Sequence, residues 1–175
     1  MDPRIELLDS HIRDVPDFPK PGIVFKDITP LLASPQALRT AVELLAEHYR
    51  PRDLTGIVAV ESRGFIFGAP LALELGVALH IVRKPGKLPW KTHAIEYSLE
   101  YGTDKLEIHQ DCVGAEDRVV VLDDLLATGG TAAATAQLVQ QQGAQVVGCG
   151  FVIELAFLEG AAKIAPIETY SLLTY

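Results

Sequence analysis

Residues 119–131 read VVVLDDLLATGGT, and no other stretch restricts the fold as strongly. Three valines and a leucine in succession suit a strand covered on both faces, as strands of a parallel sheet are. Asp123 and Asp124 follow at once, and then a turn of small residues with two glycines. Behind the turn, TAAATAQLVQQQ predicts a helix with Gly143 as its C′ residue. In open α/β sheets, ligands bind beyond the carboxyl ends of the strands. The glycines let backbone come close to such a ligand. The first turn of the following helix carries amides with no intrahelical acceptor. Together with the positive helix end, those amides suit a phosphate, and Thr128 and Thr131 add hydroxyl groups. Two carboxylates would repel a bare phosphate. They suit a sugar phosphate, whose vicinal hydroxyls donate to the acids while the phosphate lies against the amides. The plainer alternative is a strand, loop and helix with solvated acids and a capping threonine. GxxxxGK[ST] and GxGxxG are both absent, which argues against a P-loop or a dinucleotide site.

The remaining chain alternates helix and strand patterns. Ile5, Leu8 and Ile12 fall at helical spacing, and Pro16, Pro19 and Pro21 then impose an extended connection. Ser34–Pro35 is an N-cap and N1 pair opening PQALRTAVELLAEHY. GIVAVES predicts a strand, GFIFGAPLALELG a helix stopped by Gly76, and VALHIVRK the next strand. KPGKLPWKTHAI has no clear period and is expected to be a mobile loop. EYSLEYGTDKLEIHQ is expected to form a hairpin around Gly102-Thr103-Asp104. AQVVGCGFVIEL and ETYSLLTY predict further strands, with EGAAKIA a short helix between them. The expectation is one α/β domain over residues 1–175, with a mostly parallel sheet and a flap.

A formal net charge of −8 argues against a broad nucleic-acid or membrane-surface role, although a local Lys/Arg cluster can still hold a small anion. Cys112 and Cys149 form no CxxC pair, so neither a disulfide framework nor a zinc site is indicated. The N-terminal MDPRIELLDSHIRD lacks the apolar core of a signal peptide. No apolar stretch approaches the ~20 residues that span a bilayer. A cytoplasmic location is expected.

VVVLDDLLATGGT resembles the phosphoribosyl-pyrophosphate (PRPP) motif of the type I phosphoribosyltransferases. DVPDFPKPGIVFKDITPLL, VESRGFIFGAPLALELG, RKPGKLP and EYSLEYGTDKLEIH narrow the resemblance to the adenine-specific members. The resemblance implies the type I fold, with a central sheet flanked by helices. It also implies a flexible β-hairpin flap over about 84–110 and a small hood over about 1–33. The implied reaction moves ribose 5-phosphate from PRPP to N9 of adenine, giving AMP and pyrophosphate with Mg²⁺. A homodimer is implied, with apolar residues of FIFGAPLALEL available for the interface.

Carried onto this chain, the resemblance gives Asp123 and Asp124 the ribose hydroxyls. The backbone of Ala127, Thr128, Gly129, Gly130 and Thr131 takes the 5-phosphate. Glu61, Ser62 and Arg63 form the pyrophosphate loop, with Arg63 its main charge, and Arg83, Lys84 and Lys87 add cations near the same edge. Phe25 stacks on adenine, the backbones of Val24 and Lys26 pair with its edge, and Leu125 closes its other face. Lys26 replaces the family's common Arg, which matters only if that side chain makes the contact. Glu100 and Tyr101 match the family's functional pair near the base, where a carboxyl group can manage the purine protons. Mg²⁺ is expected to ride on pyrophosphate, ribose and water oxygens, with no direct protein ligand. Two alternatives stand beside this reading: a transferase for hypoxanthine, guanine or xanthine, and a PRPP-sensing regulator.

Overall fold

The computed structural model describes residues 2–98 and 102–175. Its first elements are α1 (Pro3–Asp9), β1 (Arg13–Pro16), β2 (Val24–Asp27), α2 (Thr29–Ala33) and α3 (Pro35–Tyr49). Then come β3 (Gly56–Val60), α4 (Gly64–Leu75), β4 (Ala78–Val82), β5 (Thr92–Ser98) and β6 (Thr103–His109). The chain continues through β7 (Arg118–Leu126), α5 (Gly130–Gln141), β8 (Gln145–Glu154), α6 (Gly160–Ile164) and β9 (Thr169–Thr174).

Five strands pair in the order β4-β3-β7-β8-β9, every pairing parallel. Side chains of a strand alternate between faces, and this alternation divides the apolar runs between two cores. Ile57, Val120 and Leu122 join Leu44, Leu45, Phe67 and Leu71 of α3 and α4. Val58, Val60, Val119 and Val121 join Leu106 and Ile108 of β6 and Leu138 and Val139 of α5. Burial on both faces is what the uninterrupted apolar reading of VVVL and GIVAV requires.

The chain leaves β3 through α4 to β4 on one side, and leaves β7 through α5 to β8 on the other. Strand order therefore reverses between β3 and β7, and their carboxyl ends open a crevice there. Val60 of β3 leads directly into Glu61-Ser62-Arg63, and the neighbouring β7 carries Asp123 and Asp124. Gly64, at the start of α4, permits the tight join. A Cβ there would lie 2.8 Å from the Leu122 carbonyl oxygen and 3.0 Å from Asp123 Oδ1.

Ser34 caps α3 as expected, its Oγ accepting from the Ala37 amide at 3.2 Å, and α4 stops at Gly76 in the left-handed region. Two local expectations change, at the start of β5 and at the end of β7, while the proline-rich connection stays non-helical as expected. Residues 92–95 are not part of a mobile loop but open β5, which pairs antiparallel with β6 from Thr92↔His109 to Ser98↔Thr103. Ile95 and Tyr97 pack on the second core, a two-residue alternation too short to stand out among His93, Glu96 and the flanking lysine. The proline-rich connection leads from β1 into an antiparallel partner, β2. The acids do not end their strand: β7 runs on to Leu126 because β8 continues beside it to Glu154. Among the described residues, no helix is long and apolar enough to cross a membrane.

Candidate active site

A cavity of about 180 Å³ lies in the crevice, lined by Arg63 and every residue from Asp123 to Ala132. The fold thus brings the two acids, the glycine turn and the loop cation to one place. A larger groove, about 510 Å³, lies between α3 and α4 but is lined chiefly by Leu38, Val42, Pro70 and Leu73. Its charged residues are Arg39, Glu43 and Glu74, with no acid pair or glycine turn beside them.

Asp124 is only 3% exposed, and Arg63 Nε lies 3.1 Å from its Oδ2. The Asp124 amide donates to Asp123 Oδ1 at 2.9 Å. These are not the solvated acids of the plainer reading. Burial pushes the Asp123 carboxyl well above the ordinary range, and the adjacent Asp124 charge adds to this. Burial also raises Asp124, against the opposing pull of the Arg63 guanidinium. Two crowded acids with raised proton affinity are stabilised by ligand groups that donate to them or bring positive charge.

The turn itself is shaped by a partner that lies far away in sequence. Gly129 has φ +79°, and a Cβ there would run into the Gly160 carbonyl. A Cβ on Gly160 would in turn run into the Ala127 carbonyl. The start of α6 therefore sits directly against the turn. Nothing in EGAAKIA signals this role, so Gly160 escapes sequence reasoning.

On β2, the Phe25 ring lies with its centroid 5.6 Å from Arg63 Cζ and packs edge-on against Phe18. It therefore stands beside the cavity rather than in a core. Leu125 lines the cavity wall. Lys26 Nζ reaches Asp14 at 2.6 Å and lies 3.8 Å from the Tyr175 ring centroid. Its side chain is committed to Asp14 and to Tyr175 after β9, leaving its main chain for any base contact. Val24 precedes them on β2 and is half-exposed.

The loop Glu61-Ser62-Arg63 divides into different roles. Arg63 faces the cavity and Ser62 is exposed, but the Glu61 carboxylate is fully engaged elsewhere. Arg83 binds it through two nitrogens at 3.1 and 3.2 Å, and the Lys84 amide donates to it at 2.8 Å. The Arg83 contact holds the Glu61 carboxyl below its ordinary range. Glu61 therefore braces the segment carrying Lys84. Lys84 itself bonds the Asp104 carboxylate, and Lys87 is exposed. Tyr97 places its hydroxyl 3.1 Å from Thr131 Oγ1. The sequence pattern marks neither Tyr97 nor Asp104. Glu100 and Tyr101 lie outside the described residues.

Among the described residues, no three His, Cys, Asp or Glu side chains come together as a metal site. Asp123 and Asp124 nevertheless place hard oxygens in the cavity, the donor type Mg²⁺ prefers.

The sequence matches the model of the phosphoribosyl transferase domain over residues 27–171. It is 57% identical over 168 residues to an adenine phosphoribosyltransferase of Acaryochloris marina, covering 96% of this chain and 99% of that one. The adenine phosphoribosyltransferase structure from Thermoanaerobacter pseudethanolicus superposes with a TM-score of 0.95 at 51% identity, covering 98% and 99% of the two chains. The Saccharomyces cerevisiae enzyme, solved with adenine and an imino-altritol bisphosphate, gives a TM-score of 0.94 at 37% identity, covering 99% and 100%. With two acids, a glycine turn and Arg63 around one crevice, the chain belongs to the adenine phosphoribosyltransferases of the type I phosphoribosyltransferase family.

Proposed function

We propose that the crevice between β3 and β7 binds PRPP, that adenine enters between Phe25 and Leu125, and that AMP and pyrophosphate leave. The observation that carries this reading is the Phe25–Arg63–Asp124 succession. It sets an aromatic ring beside the cavity, then a cation and the acid pair, with Asp124 buried, on the cavity lining. The yeast enzyme's complex with adenine and a bisphosphate supports it.

In this scheme Asp123 and Asp124 accept from the ribose hydroxyls and fix the sugar. The turn from Ala127 to Thr131 holds the 5-phosphate through its amides. Arg63 exchanges its bond to Asp124 for the pyrophosphate, with Lys84 and Lys87 adding charge. The C1′–O bond breaks with its electrons going to pyrophosphate, and N9 bonds C1′ while its proton is lost. Negative carboxylates beside the sugar stabilise the positive charge that develops on it. Glu100 and Tyr101 serve the base and its protons. When bound, Mg²⁺ would supply charge neutralisation for the substrate, and Asp123 and Asp124 are the residues that would hold it. A homodimer is supported by exposed Ile66 and Leu73 of α4 and by Leu79 and Ile81 on the edge strand β4.

The test supplies PRPP, Mg²⁺ and one base at a time, and separates the nucleotide products. Adenine should give AMP, whereas hypoxanthine, guanine and xanthine should give little product. A product from one of those bases with none from adenine would refute the assignment. Phe25→Ala should raise the KM for adenine by about 3- to 10-fold through loss of stacking, with the KM for PRPP within about twofold of normal. An unchanged adenine KM would remove Phe25 from the base site.

A further inference from the structure

Two groups assigned to PRPP are already occupied by the β5–β6 hairpin. The Lys84 ammonium bonds the Asp104 carboxylate of β6. Tyr97 of β5, the cross-strand neighbour of Asp104, donates to the same carboxylate oxygen at 3.3 Å and lies 3.1 Å from Thr131 Oγ1. A phenol has one proton. With that proton given to Asp104, the Thr131 hydroxyl must donate its own proton to Tyr97, and so cannot donate it to a phosphate. Lys84, Asp104, Tyr97 and Thr131 thus form one chain from the pyrophosphate side to the 5-phosphate turn. Lys84 is 41% exposed, so its ion pair is accessible to exchange with an incoming anion.

We propose that Asp104 and Tyr97 are positioning residues that hold Lys84 and Thr131 in the ligand-free enzyme, and that PRPP binds by displacing them. Asp104 stands in for the pyrophosphate at Lys84, and Tyr97 stands in for the 5-phosphate at Thr131. The proposal rests on the reading of the crevice as the PRPP site. Its signature is a substitution that tightens substrate binding, because the carboxylate competes with the substrate for one cation.

Calorimetry of PRPP with Mg²⁺ tests it. Asp104→Asn should lower the PRPP Kd by about two- to fivefold, the scale of a partly exposed ion pair. The gain should shrink as salt is raised, and the KM for adenine should not move. In a Lys84→Met background the same substitution should leave the PRPP Kd unchanged. Tyr97→Phe, which keeps the ring and frees Thr131, should tighten ribose 5-phosphate by a similar factor. Weaker or unchanged PRPP binding by folded Asp104→Asn overturns the proposal, as does an equal gain without Lys84. If the unaltered enzyme binds no PRPP, the underlying site assignment fails instead.

Discussion

Asp123→Asn is expected to give a protein that is more stable than the parent and nearly inactive. The raised proton affinity of Asp123 arises from burial and from the neighbouring Asp124 charge, so its ionised form is disfavoured in the folded, ligand-free chain. Its contribution to stability is complete below the unfolded value of about 3.9 and is lost as pH rises through the higher folded value. Asparagine carries no such loss, and its oxygen can still accept from the Asp124 amide as Asp123 Oδ1 does at 2.9 Å. At neutral pH the variant should gain on the order of 1 kcal/mol, or roughly 2–4 °C in Tm for a domain of this size. That gain should vanish near pH 4. The kcat/KM for PRPP should fall about 10²–10³-fold, since a neutral amide cannot stabilise the charge developing on the sugar. Thermal melts from pH 4 to 8 beside a rate assay decide the matter. A variant that is less stable at pH 8, or a Tm gap that does not change with pH, would show that the acid pair is not strained by its own charge.

This conflict between stability and activity explains why the central motif is legible in the sequence alone. VVVLDDLLATGGT breaks the expected pattern by placing two acids where a parallel strand should still be buried, and such a break marks function. The alternation of apolar residues reveals the sheet, and the Ser34–Pro35 pair and Gly76 mark helix ends, because each of those signals is local. What stays hidden depends on register or on distant approach. Glu61 and Arg83 are separated by 22 positions, yet Val60 and Val82 are paired neighbours on β3 and β4. The side chains that follow those strands therefore meet, and the Glu61 carboxylate is engaged before any ligand arrives. Asp104 and Tyr97 also become partners only through the β5–β6 register, and their link to Thr131 needs the hairpin laid against α5. The opening residues of that hairpin escape the sequence pattern because Ile95 and Tyr97 alone carry the inward face of β5.

Gly160→Ala is the second substitution expected to have a large effect, although no sequence motif names the position. Its added methyl would run into the Ala127 carbonyl and would also lie 2.9 Å from Leu126 Cδ1 and 3.0 Å from the Gly129 nitrogen. Two of these three neighbours are backbone atoms of the turn over residues 127–131, which cannot rotate away as a side chain can. Gly129 is already at φ +79°, so the turn has little freedom to absorb the intrusion. Alanine favours helix over glycine by up to about 1 kcal/mol, but overpacking a close backbone contact costs about 1–3 kcal/mol. In a helix of only five residues the clash should dominate. The variant should therefore melt at lower temperature and show a KM for PRPP raised by about tenfold or more, since small misplacements of a positioning element cost that much or more in rate. The adenine KM should change far less, because Phe25 is held by Phe18, and Lys26 by Asp14 and Tyr175, none of which belongs to the turn or to α6. An alanine variant that melts higher with an unaltered PRPP KM would show that α6 does not shape the turn.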